Sequence, residues 1–265
     1  MVQSGLEMFS NSVLLALILV LLTSSFLLIL QRNTGKLIWN AKSGSKNRQP
    51  TFIIAGPSGS GKSCLYNLMT TGKLKTTVTS QETSVASGFK LSESVKVRLM
   101  AFPGHLKLRG KLFDEIRDST NIKGLVFVID ATVDPKQLTK TAEFLFQILQ
   151  LTERRKDGVD ILLACNKSEM FTARPALKIR EVLEQEIEKI IIRKQKSLET
   201  VTGPIAGHHQ SNENHEIGQE DAVDFATGNG FSFDVLEGNV DAFEGSVLKR
   251  DIEKWECWME ERAVN

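Results

Sequence analysis

The sequence predicts an α/β fold with a doubly wound, mostly parallel sheet, preceded by one N-terminal membrane-spanning helix. Three observations lead to this prediction. Apolar segments of strand length alternate with helix-like or turn segments between residues 51 and 195. The first of these apolar segments runs directly into a glycine-rich loop that ends in Gly-Lys-Ser. Finally, the 18 residues 13–30 contain no charged side chain and precede the α/β region.

The composition is that of an ordinary globular chain in a reducing compartment. The 265 residues carry a formal net charge of +1, which argues against non-specific nucleic-acid binding, so no direct nucleic-acid partner is expected. Cys64, Cys165 and Cys257 lie far apart, and their spacing builds neither a disulfide framework nor a zinc site. Three reduced thiols in the cytosol are the simplest interpretation.

Residues 13–30 predict a transmembrane helix. At about 1.5 Å per residue they reach roughly 27 Å, which is close to the hydrocarbon thickness of a thin bilayer. A cleaved signal peptide and a buried helix are the alternatives, but residues 1–12 contain no Lys or Arg. Five basic residues follow the span between Arg32 and Arg48. The positive-inside rule therefore puts residues 1–12 outside the cytosol and the rest of the chain inside it.

A polar tether and one large domain follow the predicted span. Residues 31–50 contain Gly, Ser and Pro and predict a juxtamembrane tether, in which Trp39 either meets the headgroups or packs on the domain. The domain comprises residues 51–265 and includes a polar, patternless insertion near 197–230. Three histidines in that insertion fit a solvated segment better than a metal site: His208, His209 and His215.

The glycine-rich loop follows a short apolar strand, Thr51–Ala55, and leads into a helix-like segment. Its pattern GxxxxGK[ST] lets backbone N–H groups approach phosphates, and the helix N-terminus supports their negative charge. We expect Lys62 to reach the β- and γ-phosphates and the Ser63 hydroxyl to bind Mg²⁺. A plain Gly/Ser turn with a solvated lysine is the alternative. The predicted nucleotide-binding residues here are Gly56, Pro57, Ser58, Gly59, Ser60, Gly61, Lys62, Ser63 and Cys64.

Three later strands, 95–102, 124–131 and 160–165, extend the sheet, and ligands bind at the carboxyl ends of such strands. The last strand leads into Asn166-Lys167-Ser168-Glu169, which resembles the NKxD element of GTPases with Glu in place of Asp. A carboxylate here can accept hydrogen bonds from the N1–H group and the exocyclic amine of guanine together, whereas adenine has an acceptor at N1 and no amine at that edge. The predicted base-binding residues are Asn166, Lys167 and Glu169, and a helix N-cap with a surface charge is the alternative.

These motifs together resemble a known family. The P-loop, Ala101-Phe-Pro-Gly-His105, the stretch Asn166–Pro175 and the preceding span are similar to the beta-subunit family of the signal recognition particle receptor, transmembrane relatives of the Arf/Sar GTPases. The resemblance covers roughly residues 10–195 and resumes near 231–262. It implies a fold of the small-GTPase type and a GTP-binding protein of the endoplasmic reticulum membrane, with residues 1–12 lumenal. It also implies docking of the receptor's alpha subunit for co-translational targeting, with the translocon or the ribosome as further candidate partners.

The resemblance also assigns the first switch, which is the segment around Ser80, and the residues that would bind Mg²⁺. Ser80 lies seventeen residues after Ser63, where Arf-like proteins carry the threonine that completes the Mg²⁺ shell, and Thr77 and Thr79 are alternatives. Ser63 and Ser80 are therefore the predicted metal ligands. Ala101 stands where most relatives have an Asp that steadies Mg²⁺ through water, so GTP is expected and its coupling to Mg²⁺ is in doubt.

The second switch supplies the remaining candidates. Gly104 keeps its backbone N–H for the γ-phosphate, and His105 occupies the place of the glutamine that orients attacking water in Ras-like proteins. An uninvolved loop histidine is the alternative for His105. Ser58 replaces a glycine beside the γ-phosphate, so we expect slow intrinsic hydrolysis. Asp130 is expected to be a structural carboxylate at a strand end.

The C-terminal region supplies a weaker match. Ser246 and Val247 resemble the family's guanine-contacting serine and the following backbone N–H, and a plain turn is the alternative. A helix over 176–195 has one apolar stripe and is expected to pack in the core. The final helix is expected over 251–262.

Two other functions compete with a docking subunit. An Arf/Sar-like catalytic GTPase that regulates vesicle coats would attach through a reversible amphipathic segment, and the uncleaved span 13–30 argues against it. A P-loop ATPase or small-molecule kinase is disfavoured by Glu169 and by the lack of an acceptor-site pattern.

Overall fold

The computed structural model describes residues 49–92, 95–156, 158–201 and 230–264, together with Leu19 and Thr23. The chain divides into two compact units, Met1–Asn47 and Arg48–Asn265, and the elements below belong to the second.

Leu19 and Thr23 are helical. The rest of the predicted span, the tether up to Arg48 and the three histidines of the insertion lie outside the described residues. Within the described ranges, no helix is long and apolar enough to cross a bilayer.

A six-stranded sheet forms the centre of the domain, in the order β2-β3-β1-β4-β5-β6. Only β2 is antiparallel to its neighbour, so the predicted mostly parallel, doubly wound sheet is confirmed. The strands are β1 (Thr51–Ala55), β2 (Ser84–Lys90), β3 (Lys96–Ala101), β4 (Ile122–Asp130), β5 (Ile161–Asn166) and β6 (Val240–Glu244).

Among the described residues of the domain, five helices cover the two faces of the sheet, and short 3₁₀ turns lie at Leu106–Leu108 and Phe233–Val235. The predicted apolar stripe on the long helix is buried along its length, as expected for a core face. That helix continues to Val201, beyond the expected end at Gln195. The helices are α1 (Lys62–Thr71), α2 (Gly110–Asp118), α3 (Pro135–Thr152), α4 (Ala176–Val201) and α5 (Glu253–Val264).

The central strand β4 builds both layers of the core, because successive side chains of a strand point to opposite faces. Phe127 and Ile129 pack with residues of α2, α3 and α4, and Val126 and Val128 pack with residues of α1 and α5. At the start of β4, a Cβ on Gly124 would lie 2.8 Å from the ring of Trp258. Only glycine therefore lets α5 approach the sheet this closely.

The parallel strands end at one edge of the sheet and so bring together the segments that follow them. Ala55, Ala101 and Asn166 end β1, β3 and β5, and the P-loop, the second switch and the NKSE segment begin beyond them. The antiparallel strand β2 follows the first switch in sequence. Its first residue, Ser84, pairs with Ala101 at the end of β3, so the first switch also lies at this edge. This edge positions the candidate site.

Candidate functional site

Two glycines of the P-loop are required by their surroundings. Gly56 has a φ of +138°, and a Cβ there would lie 2.2 Å from the carbonyl oxygen of Val128. Gly61 has a φ of +101°, and its Cβ would lie 2.2 Å from Nδ2 of Asn166. These conformations and clearances exclude other residues, so the loop follows a tight path against β4 and β5.

Lys62 lies at the start of α1 and is 7% exposed. Its Nζ donates a hydrogen bond of 2.7 Å to the carbonyl oxygen of Pro57. Burial, and after it the charge of Arg109, lower the pKa of Lys62 to about 8. No side chain caps the N-terminus of α1 at Gly61, and Lys62 and Ser63 of its first turn both line the cavity. The arrangement favours an anion, which would offset both effects on Lys62.

The two predicted metal ligands are in contact. The hydroxyl oxygens of Ser63 and Ser80 lie 2.8 Å apart, although seventeen residues separate them in sequence. Thr77, one of the alternatives to Ser80, instead contacts Sγ of Cys64 at 3.1 Å. The first switch therefore lies directly against the first turn of α1.

The second switch packs against the P-loop through Gly104. A Cβ on Gly104 would lie 2.5 Å from the carbonyl oxygen of Gly56 and 2.6 Å from the N–H nitrogen of Ser58, so the two backbones are in direct contact. His105 is exposed and does not line the cavity, and its Nδ1 accepts a hydrogen bond of 3.3 Å from the backbone of Lys107. In this arrangement the imidazole caps the following 3₁₀ turn.

The donor set suits Mg²⁺ only with help from a nucleotide. Ala101 ends β3 and is 8% exposed, so it contributes no carboxylate. Among the described residues, no group of three His, Cys, Asp or Glu side chains could hold a metal ion. Mg²⁺ is commonly bound by one or two protein oxygens together with phosphate oxygens and water. The paired hydroxyls of Ser63 and Ser80 fit that pattern.

Asn166 joins three segments of the site and is 3% exposed. Its Nδ2 donates 2.8 Å to the carbonyl oxygen of Ser60 in the P-loop. Its Oδ1 accepts a hydrogen bond of 3.0 Å from the backbone N–H of Val247. The predicted base-binding asparagine thus fixes the P-loop and the β6–α5 loop to the end of β5.

Lys167 has a left-handed backbone, with a φ of 67°, and its ammonium forms an ion pair with Asp130 at the end of β4. Burial opposes ionisation of Asp130, but the hydrogen bonds from Lys167 and Thr132 outweigh it and hold the pKa of that carboxyl below its ordinary value. Asp130 therefore orients Lys167, in agreement with the expected structural role.

Glu169 carries an unpaired buried oxygen. Its Oε2 is shielded from solvent and has no hydrogen-bond partner within the described part of the chain. The residue lines a cavity of about 560 Å³ together with Lys62, Ser63 and Lys167. An acceptor in this position can take hydrogen bonds from a ligand or from water, and guanine presents two donors on one edge.

The structure places the two residues of the weak C-terminal match, Ser246 and Val247, differently. Val247 lines the cavity. Ser246 is 1% exposed, and its hydroxyl accepts a hydrogen bond of 3.0 Å from the backbone of Lys249 inside the loop. Its side chain therefore stabilises the turn, whereas the predicted contact to guanine would need that hydroxyl to face the cavity.

Several lining residues are absent from the sequence prediction. Apolar side chains at Leu74, Val78, Phe102 and Leu248 complete the cavity wall. Val78 is 88% exposed, which is unusual for a large apolar side chain beside a polar pocket. Of these residues, only Phe102 belongs to a motif that the sequence shows, the Phe-Pro of the second switch. Leu74 and Val78 could not be predicted, because the segment 74–80 has no periodic pattern.

Known proteins match most of this chain. The family model of the signal recognition particle receptor beta subunit matches residues 47–240. The signal recognition particle receptor subunit beta of Saccharomyces cerevisiae is 44% identical over 258 residues, which cover 96% of this chain and 100% of the relative.

Two solved structures share the fold. The mammalian SRP receptor structure matches with a TM-score of 0.63 and 25% identity, covering 80% of this chain and 99% of that chain. The SRb-GDP structure from Chaetomium thermophilum matches with a TM-score of 0.59 and 25% identity, covering 81% of this chain and 97% of that chain. The sequence motifs, the six-stranded sheet and these matches agree, and the chain belongs to the signal recognition particle receptor beta subunit family.

Proposed function

We propose that this chain is a membrane-anchored, GTP-binding subunit that docks the alpha subunit of the signal recognition particle receptor. One observation carries the nucleotide assignment: the buried, unpaired Oε2 of Glu169 in the cavity that the P-loop also lines. Membership of the beta-subunit family supports the docking role.

The base half of the proposal rests on hydrogen-bond matching. A buried acceptor without a donor costs about 1–3 kcal/mol, and the N1–H and amino groups of guanine would remove that cost at Glu169. Adenine has an acceptor at N1 and would leave the carboxylate unpaired. The solved Chaetomium relative is described with GDP, which supports the same assignment here.

The phosphate half rests on charge. Lys62 and the first-turn N–H groups of α1 would hold the β- and γ-phosphates, and Ser63 and Ser80 would share Mg²⁺ with phosphate oxygens. Gly104 would offer its N–H to the γ-phosphate from the second switch. No carboxylate at position 101 would steady the metal, so we propose that Mg²⁺ contributes less here than in relatives with Asp.

Docking would follow from ordering of the switches. GTP would favour one arrangement of residues 77–83 and 101–109, which touch the P-loop through Ser80 and Gly104. A partner that binds this arrangement needs no bond breaking, so hydrolysis would be slow and secondary. Translocon or ribosome contacts stay a prediction from the family resemblance.

We also propose the location. Residues 13–30 would span the endoplasmic reticulum membrane once, with residues 1–12 in the lumen and the nucleotide-binding domain in the cytosol. The basic residues that follow the span support this orientation.

Capture of the alpha subunit by the immobilised chain tests the proposal, with GTP, GDP, ATP or no nucleotide present. We expect capture with GTP and none with ATP. Glu169→Ala should weaken GTP binding by about 1–3 kcal/mol and require correspondingly more GTP for capture. Glu181→Ala, on the exposed side of α4, is the matched control and should change neither. Equal affinities for GTP and ATP would refute the guanine assignment, and capture that ignores nucleotide would leave only a passive tether.

A further inference from the structure

A second groove lies at the opposite edge of the sheet from the nucleotide cavity. It has a volume of about 590 Å³ and is formed at Ile122, where β4 begins, and at Asp160, the residue before β5. Its lining is strongly cationic, although the whole chain has a net charge of only +1. We call the five cationic side chains of this groove the basic rim: Arg117, Lys123, Arg155, Lys156 and Arg262.

Part of the basic rim is fixed by internal contacts. Arg262 donates to Asp160 at 2.9 Å and to Asp241 at 2.7 Å, and Asp160 is the only carboxylate among the described residues that line the groove. Asp157, between two lining residues, lies outside the described part of the chain. Nη1 of Arg155 donates 2.7 Å to the carbonyl oxygen of Ile116, at the C-terminal end of α2. These contacts hold the guanidinium groups in place and neutralise Asp160.

The other cations are available to a ligand. Lys156 is exposed and Lys123 is half-buried, and neither has a hydrogen bond or ion pair within the described part of the chain. Arg117 is exposed and lies 3.6 Å from Asp114, which is a weak surface pair. Lys123 and Lys156 therefore offer positive charge without a counter-ion among the described residues.

The groove also lies where the tether joins the domain. The backbone N–H of Thr51 donates 2.9 Å to the carbonyl oxygen of Asn121, and Asn121 lines the groove. The residues before Thr51 are the predicted tether, which adds five more basic side chains between Arg32 and Arg48. As a flexible chain, 20 residues have a root-mean-square reach of roughly 25 Å.

We propose that the basic rim binds the anionic lipid headgroups of the bilayer in which the chain is anchored. The inference rests on the proposed membrane anchorage and adds a face of the domain to it. Attraction between a cationic surface and an anionic leaflet is lost beyond about 8 Å at physiological salt, so it acts only on a face held near the bilayer. The rim lies at the end of the sheet that carries Thr51, the first residue after the predicted tether, and the nucleotide cavity lies at the other end.

Lysine footprinting of the full chain in lipid nanodiscs tests this proposal. The chain is reconstituted in discs of phosphatidylcholine alone or with phosphatidylserine, and acetylation rates of single lysines are measured by mass spectrometry. Lys123 and Lys156 should be acetylated about threefold or more slowly in the anionic discs, and high salt should remove the protection. Lys140, in the first half of α3, should react equally in both discs.

Charge reversal gives a second readout. Lys123→Glu should raise the acetylation rate of Lys156 in anionic discs towards its rate in neutral discs, whereas the control Lys140→Glu should leave Lys156 protected. Equal rates at Lys123 and Lys156 in the two discs would overturn the proposal. Protection in neutral discs by soluble glycerophosphoserine or by added RNA, without protection by anionic discs, would overturn the bilayer as the ligand. A chain that does not co-purify with nanodiscs would contradict the anchorage itself, a separate outcome.

Discussion

At the scale of single residues, Lys62 is the group whose charge depends most on what occupies the site. Burial and the charge of Arg109 lower its pKa to about 8, and a phosphate beside it would raise that pKa. Nucleotide binding above pH 8 must then take up a proton. GTP affinity should therefore be insensitive to this group below pH 8 and fall by up to about tenfold per pH unit above it.

Titration of residues 48–265 with labelled GTP between pH 7 and 9 measures this dependence. Lys62→Arg is the control, because an arginine stays charged throughout that range. The variant should lose the slope while retaining some binding. A wild-type affinity that is flat up to pH 9 would contradict the role given to Lys62.

Ala101 determines a second prediction. Ala101→Asp should increase the effect of Mg²⁺ on GTP affinity by about tenfold, because a carboxylate at the end of β3 can orient water on the metal. Alpha-subunit capture should hardly change if docking depends on ordered switches. The measurement is GTP affinity with Mg²⁺ and with EDTA. Ala101→Asn, which adds similar volume without charge, should resemble wild type, and a strong Mg²⁺ requirement in wild type would contradict the prediction.

Single residues also mark the limits of sequence prediction. Ser63 and Asn166 could be selected from their motifs and Ser80 from the family resemblance, and the structure brings all three to one cavity. The unpaired oxygen of Glu169 could not be foreseen, because it depends on burial in the folded state. The hydroxyl of Ser246 also depends on the fold, since a local turn to Lys249 uses it.

At the scale of elements, Asn166 ties together the P-loop, the end of β5 and the β6–α5 loop. Asn166→Ala would leave the carbonyl of Ser60 and the N–H of Val247 buried without partners. We expect a loss of about 2–4 kcal/mol in the free energy of unfolding, and weaker GTP binding as well. Denaturant unfolding and GTP titration of residues 48–265 measure both.

Asn239→Ala is the matched control for Asn166→Ala. Asn239 is exposed just before β6. Its backbone N–H donates to Oδ1 of Asp160 and its carbonyl oxygen accepts from the N–H of Ile161, so its own side chain makes neither bond. The free energy of unfolding of Asn239→Ala should equal that of wild type within about 0.5 kcal/mol. Equal stability of the two variants would mean that Asn166 does not tie the loops.

The strands show which elements a sequence reveals. The three buried central strands, β1, β4 and β5, read as continuous apolar segments, and each was predicted within two residues. The edge strands β2 and β6 were not predicted. β2 alternates weakly and contains Gly88, and β6 has five residues with two acids, so neither pattern differs from a loop.

At the scale of the whole molecule, the proposed topology makes a direct prediction. Protease added to sealed microsomes should digest the nucleotide-binding domain and spare only a short N-terminal fragment, because five basic residues follow the span. Immunoblots against tags at each end measure this. Detergent should expose the protected fragment as a control. Protection of the C-terminal tag in sealed vesicles would reverse the orientation.

The position of β1 has a mechanical consequence. Thr51 is hydrogen-bonded at one edge of the sheet, and the P-loop begins directly after Ala55 at the other. Five residues at about 3.3 Å each therefore separate the start of β1 from the P-loop by roughly 17 Å. Nucleotide would thus exchange at the end of the domain that lies away from Thr51. A partner could likewise cover that pocket without contacting the end of the sheet at which β1 begins.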